Sequence, residues 1–233
     1  MRIAVNAGHT KAAPGAVGYL NEIEENRPLK DALIAELRAR GHEVIDVTSP
    51  DTLDQNNDLY MQCAAANQSG AELAVTVHFN AGGGNGPEVW YWRGNKSGAV
   101  YASKIVEAIA EAIGRPNRGA KTGTSYYFLR HTHMTGLIIE TCFVDTLEDA
   151  QAYKAAGPAK VAAAIADAIS DTKHGIMAGL KPEPPKRVPL EVDGIKGAKT
   201  VSRLQEVLGV TVDGIEGPET IKALQKALNE LEV

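Results

Sequence analysis

Two histidines, one isolated glutamate and an acidic trio are the residues of this chain whose types and positions suit bond-breaking chemistry. His9 follows the apolar run Ile3-Ala-Val5, and His78 and Asn80 follow Leu73-Ala-Val-Thr-Val77. Glu140 ends Leu137-Ile-Ile-Glu140, while Glu22, Glu24 and Glu25 cluster downstream of His9. Each apolar run reads as a strand, and the ends of strands are where open α/β sheets bind ligands. Two histidines and a carboxylate suit a catalytic zinc, whose three protein ligands leave one position for water. Zinc lowers the pKa of that water from about 15.7 to about 7. A further carboxylate nearby could then carry protons during amide cleavage. Glu140 is the hardest of these to read as bland. It separates Leu137-Ile-Ile from Cys142-Phe-Val, and an unpaired carboxylate in a buried run is costly without a cation or a raised pKa. A strand-end histidine is otherwise a hydrogen-bonded surface residue, and the acidic trio a solvated helix entrance. No HExxH-type local motif is present, so pattern alone stops at the hydrolase class.

Other candidates are weaker. His131 and His133 form an HxH pair, which on a strand would aim both rings to one face. They compete with His9 and His78 as a metal site, or with Arg130 line a substrate groove, or face water. Gly82-Gly-Gly-Asn-Gly86 lacks the Lys-Ser/Thr ending of a phosphate loop and reads as a flexible loop at the mouth of a site. Cys63 and Cys142 show no CxxC spacing and read as buried and reduced.

Alternating elements must position these residues. Strand-like runs fall at Ile3–Val5, Glu43–Val47, Leu73–Val77, Glu88–Trp92, Tyr126–Leu129 and Leu137–Glu140. Leu29, Leu33, Ile34 and Leu37 recur at helical spacing and stop at Gly41; Ile105, Ile109, Ala112 and Ile113 stop at Gly114. An alanine-rich helix over 161–169 closes the region. The alternation predicts an α/β fold, a mixed and largely parallel sheet flanked by helices.

The 233 residues allow one full core and a small appendage. Apolar residues make up 44% and no run approaches the roughly 20 needed to cross a bilayer. The net charge of −5 leaves no global basic footprint for nucleic acid. The start lacks the logic of a secretion signal, so export by its own leader is not expected. Four prolines between Lys181 and Pro189 mark a spacer. The expected division is 1–175 catalytic, 176–189 linker and 190–233 a small all-α module. In that module Val192-Asp-Gly-Ile195 is echoed by Val212-Asp-Gly-Ile215, and Leu204-Gln205 by Leu224-Gln225. Each copy reads as a glycine turn and a helix with one apolar face, so the two must pack together.

Five segments occur in a fixed order: Ala7-Gly-His-Thr10, Gly15-Ala-Val-Gly-Tyr-Leu-Asn-Glu22, Ala66-Asn67, Thr76-Val-His-Phe-Asn-Ala81 and Leu137-Ile-Ile-Glu-Thr-Cys-Phe143. Over residues 1 to 172 the chain thereby resembles the zinc-dependent N-acetylmuramoyl-L-alanine amidases of the type-3 amidase family, which includes many phage endolysins. The resemblance implies one Zn2+ held by His9, one glutamate and His78, with Glu140 as the catalytic glutamate. It implies bacterial peptidoglycan as substrate, cut between N-acetylmuramic acid and L-alanine. Glu22 fits the family's ligand, preceding Asn26 by four residues and Gly41 by nineteen, and Glu24 and Glu25 do not. Pro28 falls inside the helix that begins near this ligand and is expected to kink it or restart it. Asp213 to Gln225 resembles helical peptidoglycan-binding modules, although the first copy has Ala198 where proline is usual. A structural or dimerising cap is the alternative for the tail. For the whole, the alternatives are a zinc amidohydrolase of similar fold acting on a soluble acyl-amino acid, and a wall-binding protein without activity. The presence of all four site positions disfavours the last.

Overall fold

The computed structural model describes residues 1–176 and 194–230. Six strands, β1 (Arg2–Ala7), β2 (Glu43–Asp46), β3 (Leu73–Asn80), β4 (Glu88–Trp92), β5 (Ala120–Gly123) and β6 (Thr135–Phe143), form one sheet. Its order is β2-β1-β3-β6-β4-β5. The first four in that order run parallel, β4 lies antiparallel to β6, and β5 parallels β4. β1 and β3 are buried along nearly their whole length, as parallel strands covered on both faces must be.

Helices α1 (Glu22–Ala39), α3 (Lys96–Ile113) and α5 (Leu147–Ile176) cover one face of the sheet. Their apolar stripes, including Leu29, Leu33, Leu37, Ile105, Ile109 and Ile165, are fully buried against Ile3, Val75 and Leu137. The helix stops lie where the glycines predict: Gly41 and Gly114 are left-handed, at φ 78° and 65°. Helices α2 (Gln55–Gln68) and α4 (Tyr127–His131) cover the other face, where Cys63, Phe128 and Leu129 meet Ala74 and Ile138. Both cysteines are buried and unpaired. No helix among the described residues is long and apolar enough to cross a membrane.

Several expectations are corrected. Tyr126–Leu129 is no strand: 127–131 is helical, the Arg130 and Thr132 N–H groups donate to the Tyr126 and Phe128 carbonyls at 3.1 Å, and Thr132 Oγ1 also donates to the Phe128 carbonyl at 2.8 Å. β5 and α2 were not anticipated. β5 pairs only with β4 at the sheet edge and has no apolar alternation. α2 opens on four polar residues; its clear signal is Asp54, whose carboxylate accepts the Asn57 N–H at 3.0 Å. Pro28 neither breaks nor restarts α1, which is continuous. Pro28 and Glu24 are both exposed, so the lost bond falls on the side where water replaces it. The helix expected over 161–169 is longer, with a break at Gly157 (φ 75°) just before Pro158.

The linker expected at 176–189 lies, beyond Ile176, outside the described residues. Past it, α6 (Ala198–Leu208) and α7 (Pro218–Glu230) pack together as the repeat requires. Gln205 ties them: its amide N–H groups donate to Asp213, the Ile215 carbonyl and Thr220, and its Oε1 accepts from Gly214 N–H at 2.9 Å. α6 also docks on α2. Tyr60 donates to the Lys199 carbonyl at 2.6 Å, Gln68 to the Val210 carbonyl at 3.1 Å, and Ser202 covers the Met61 sulfur.

Candidate metal and acid–base site

Parallel strands β1 and β3 end side by side, which carries His9 and His78 to one end of the sheet. Glu22, the first residue of α1, reaches between them. Its Oε2 lies 3.3 Å from His9 Nε2 and its Oε1 3.1 Å from His78 Nδ1. One ligand atom from each of the three residues falls within 4.8 Å of the others. Ligands about 2.0–2.1 Å from a tetrahedral ion stand roughly 3.3 Å apart, so this donor set could hold a divalent ion. The Glu22 carboxylate is fixed by two further bonds, from Ala16 N–H at 2.9 Å and Phe79 N–H at 3.0 Å. Burial opposes its charge, but the hydrogen bonds from His78 and His9 outweigh that and hold it well below the usual carboxylate range. Burial likewise works against a charged His78, and the Glu22 hydrogen bond with the Glu140 and Glu22 charges raises its pKa nonetheless.

Two glycines are required by this crowding. A Cβ on Gly8 would stand 1.9 Å from the His78 ring, and one on Gly15 2.0 Å from Glu22 Oε2. His9 is left-handed, at φ 64°, the sole such non-glycine residue among those described, a conformation that costs about 1–3 kcal/mol at a residue with a side chain. The strain is held from below. Arg27 donates to the Gly8 carbonyl at 2.8 Å and the His9 carbonyl at 2.6 Å, and Asn26 also donates to Gly8 at 2.8 Å. Asp51 holds the Arg27 guanidinium at 3.2 Å.

Glu140 stands on β6 in register with His78. Its Oε2 is enclosed and has no hydrogen-bond partner. Burial pushes its carboxyl up to about 7, with the Glu22 and Glu88 charges adding to the effect. Such a group is poised to exchange protons near neutral pH. Glu88, on β4, is the register partner of Glu140 on the other side. Unlike Glu140 it is fully engaged: Asn80 Nδ2 donates at 2.8 Å, Trp90 Nε1 at 3.1 Å and Arg118 Nε at 2.8 Å.

The other acidic and histidine candidates lie elsewhere. Glu24 is exposed and Glu25 pairs with Lys154. His131 and His133 do not line this groove. They immediately precede Thr135, whose register partner is Leu73, five residues or roughly 16 Å from the His78–Glu140 pair at about 3.3 Å per residue. The His131 ring stacks on Tyr127 at 4.0 Å. Asn67 fixes the segment, donating to the His131 carbonyl at 2.8 Å and accepting from His133 N–H at 2.7 Å. Arg130 is exposed beside them at the end of α4. The glycine run at 82–86 is pinned rather than loose. Asp145 accepts from Gly82 and Gly83 N–H, Asp149 from Gly86 N–H, and Thr146 donates to the Gly84 carbonyl. Sequence reasoning missed Glu88, Arg118 and Arg27. Glu88 carried a readable signal, a carboxylate at the head of the apolar run Val89-Trp-Tyr-Trp, much as Glu140 interrupts its own.

Comparison with known proteins agrees with this architecture. An uncharacterized protein of Clostridium perfringens is 39% identical over 189 residues, covering 78% of this chain and 55% of the relative. The sporulation-specific N-acetylmuramoyl-L-alanine amidase of Bacillus subtilis is 31% identical over 157 residues, 66% of this chain and 60% of that protein. The chain thus spans little more than half the length of these relatives. Among solved structures, the catalytic domain of the CD27L endolysin targeting Clostridia difficile superposes with a TM-score of 0.69 at 28% identity. That match covers 73% of this chain and 97% of the domain. The sequence profile of the N-acetylmuramoyl-L-alanine amidases matches residues 3–171, nearly the whole of the sheet and its helices. On that match, the chain belongs to the N-acetylmuramoyl-L-alanine amidase family Amidase_3.

Proposed function

We propose that this protein is a zinc-dependent peptidoglycan amidase that hydrolyses the bond between the lactyl group of N-acetylmuramic acid and L-alanine, and so lyses bacterial wall. The observation that carries the reading is the meeting of His9, Glu22 and His78 beside an enclosed, unpartnered oxygen of Glu140. The two histidine nitrogens and the fixed carboxylate match zinc chemistry. A zinc ion bound there supplies a Lewis acid that polarises the scissile carbonyl and acidifies water. Glu140 takes the proton from the attacking water. It then delivers that proton to the amide nitrogen as the C–N bond breaks, leaving a lactyl carboxylate and the free amine of L-alanine. The Ala16 and Phe79 N–H groups keep Glu22 ionised and aimed while this happens.

The tail at 190–233 is read as the wall-binding part, on its likeness to helical peptidoglycan-binding modules. Its dock on α2 means that it rides on the catalytic part instead of hanging from it.

The test is to incubate purified wall with the full chain and follow new ends. New α-amino groups of L-alanine without new reducing sugar support the amidase. New reducing ends indicate a glycosidase and refute it. A chelator should abolish the activity and zinc restore it, and His78→Ala should lose the metal. Full zinc occupancy in His78→Ala or Glu22→Gln would overturn the ligand set. Retention of residues 190–233 on purified walls, as a reporter fusion to the full chain against a chain ending at 189, tests the tail.

A further inference from the structure

Arg118 is the charged residue in the Glu88 network, and its outer donors are not used up. Its Nε donates to Glu88 Oε2 at 2.8 Å, and its guanidinium carbon lies 4.9 Å from the centre of the Phe143 ring. Those two contacts fix the plane of the fork. The terminal Nη1 and Nη2 have no partner among the described residues, and the side chain is 35% exposed. A planar fork held by its inner nitrogen and one face is pre-organised for two parallel bonds to a carboxylate.

Its position is set by the strands. Glu88 opposes Glu140 across the antiparallel β4–β6 pair, where opposed side chains share a face with Cβ atoms about 4.5–5.5 Å apart. Arg118 therefore stands one side chain beyond the acid–base carboxylate, with Asn80 and Glu88 between it and His78. A peptide laid from the scissile amide towards β4 covers about 3.3–3.6 Å per residue, which would bring its second residue to that place. Among the described residues around Glu88 and Glu140, Arg118 is the cation that a substrate carboxylate there would meet.

We propose that Arg118 is a specificity residue, binding the free α-carboxylate of the second, D-glutamyl, residue of the stem peptide through Nη1 and Nη2. The proposal rests on the amidase reading and narrows it: stem peptides whose second residue is amidated, as D-isoglutamine, lose this contact and are poorer substrates. Glu88 serves as the anchor that presents the fork, a positioning residue without contact to substrate.

The experiment compares two soluble substrates with the zinc-loaded full chain, N-acetylmuramoyl-L-alanyl-D-glutamate and N-acetylmuramoyl-L-alanyl-D-isoglutamine. For the wild type, kcat/KM should favour the free acid by about ten- to a hundredfold, mostly through KM, as expected for a charge-assisted pair. In Arg118→Gln the preference should collapse to about one while kcat on the amidated substrate stays near wild type. Arg118→Lys should recover part of the preference, having the charge but not the fork. Zinc content should be unchanged in both variants; Arg118→Gln breaks the ion pair with buried Glu88 and should lower the melting temperature, Arg118→Lys less so, and it is the loss of preference with kcat kept on the amidated substrate that separates a binding role from a structural one. Equal use of the two substrates by the wild type overturns this proposal and leaves the amidase reading standing. An equal fall on both substrates in Arg118→Gln also overturns it, and assigns Arg118 to holding Glu88. Cleavage of neither substrate by the wild type overturns the amidase reading and this inference together.

Discussion

Replacing Glu140 by Gln should inactivate the enzyme and at the same time stabilise its fold. The carboxyl is displaced from its ordinary 4.5 to about 7 because it is buried, with an enclosed oxygen that no donor reaches. A folded-state pKa raised above the unfolded one means that the native protein binds the proton more tightly. Stability contributed by the protonated group is thus complete below pH 4.5 and is lost as pH rises towards 7. Above 7 the ionised carboxylate disfavours the fold by about 3–4 kcal/mol at most, at about 1.4 kcal/mol for each tenfold change in proton affinity. Water at the outer oxygen relieves some of this, so about 1–3 kcal/mol is expected. Gln carries no charge and so removes the penalty. Urea denaturation of chelator-treated protein should show Glu140→Gln more stable than wild type by that amount at pH 8, with the difference fading by pH 4.5. Amidase activity should fall by at least about a hundredfold, the lower end for a lost general acid–base group. Zinc content should hold. Equal stability at pH 8 would refute the claim of a desolvated, unpartnered carboxylate, and retained activity would refute its role.

Three more outcomes are expected. Gly15→Ala places a methyl 2.0 Å from Glu22 Oε2, so zinc affinity measured against a chromogenic chelator should drop at least about tenfold, in line with disturbed ligand support; unchanged affinity would mean that Glu22 ligates from another rotamer. Arg27→Ala frees the Gly8 and His9 carbonyls and should weaken zinc about 10–100-fold, with little effect if the left-handed turn at His9 holds itself. A chain ending at residue 175 uncovers Met61, 5% exposed under Ser202. Losing that cover, worth about 1–2 kcal/mol, should lower its melting temperature by roughly 2–8 °C, while soluble muropeptide is still cleaved; an unchanged melting temperature would mean that α6 contributes nothing to the catalytic part.

Much of this fold was legible because the signals were local. Leu29, Leu33 and Leu37, or Ile105, Ile109 and Ile113, repeat at the helical period within a single segment and end at a glycine that can turn left-handed. The elements that escaped lack such a signal. α2 buries mostly small and polar residues, Asp58, Gln62, Cys63, Ala64 and Ala66, which draw no apolar stripe. β5 is an edge strand with one partner. The aromatic run before Arg130 favours a strand by propensity, and tertiary packing decided for helix. His131 and His133 were misplaced for a related reason. Their types suit a metal, but they precede β6 by its wrong end, and only strand direction reveals that.

The site divides along the same line. With 29 acidic residues and six histidines, residue type alone does not choose among them; the ordered motifs of the family resemblance are what single out His9, Glu22, His78 and Glu140. What makes them a site is the register of three strands and a set of backbone bonds, neither of which has a residue-type signature. Arg27 works through the carbonyls of Gly8 and His9, and Ala16 and Phe79 fix Glu22 through main-chain N–H groups. The arrangement also runs against local stability at two points, a histidine at φ 64° and an acid with no donor. Neither would persist for packing alone, since a glycine at position 9 and an apolar residue at 140 relieve both. That the chain keeps the strained histidine and the lone carboxylate facing the same end of the sheet is the physical ground for placing the chemistry there.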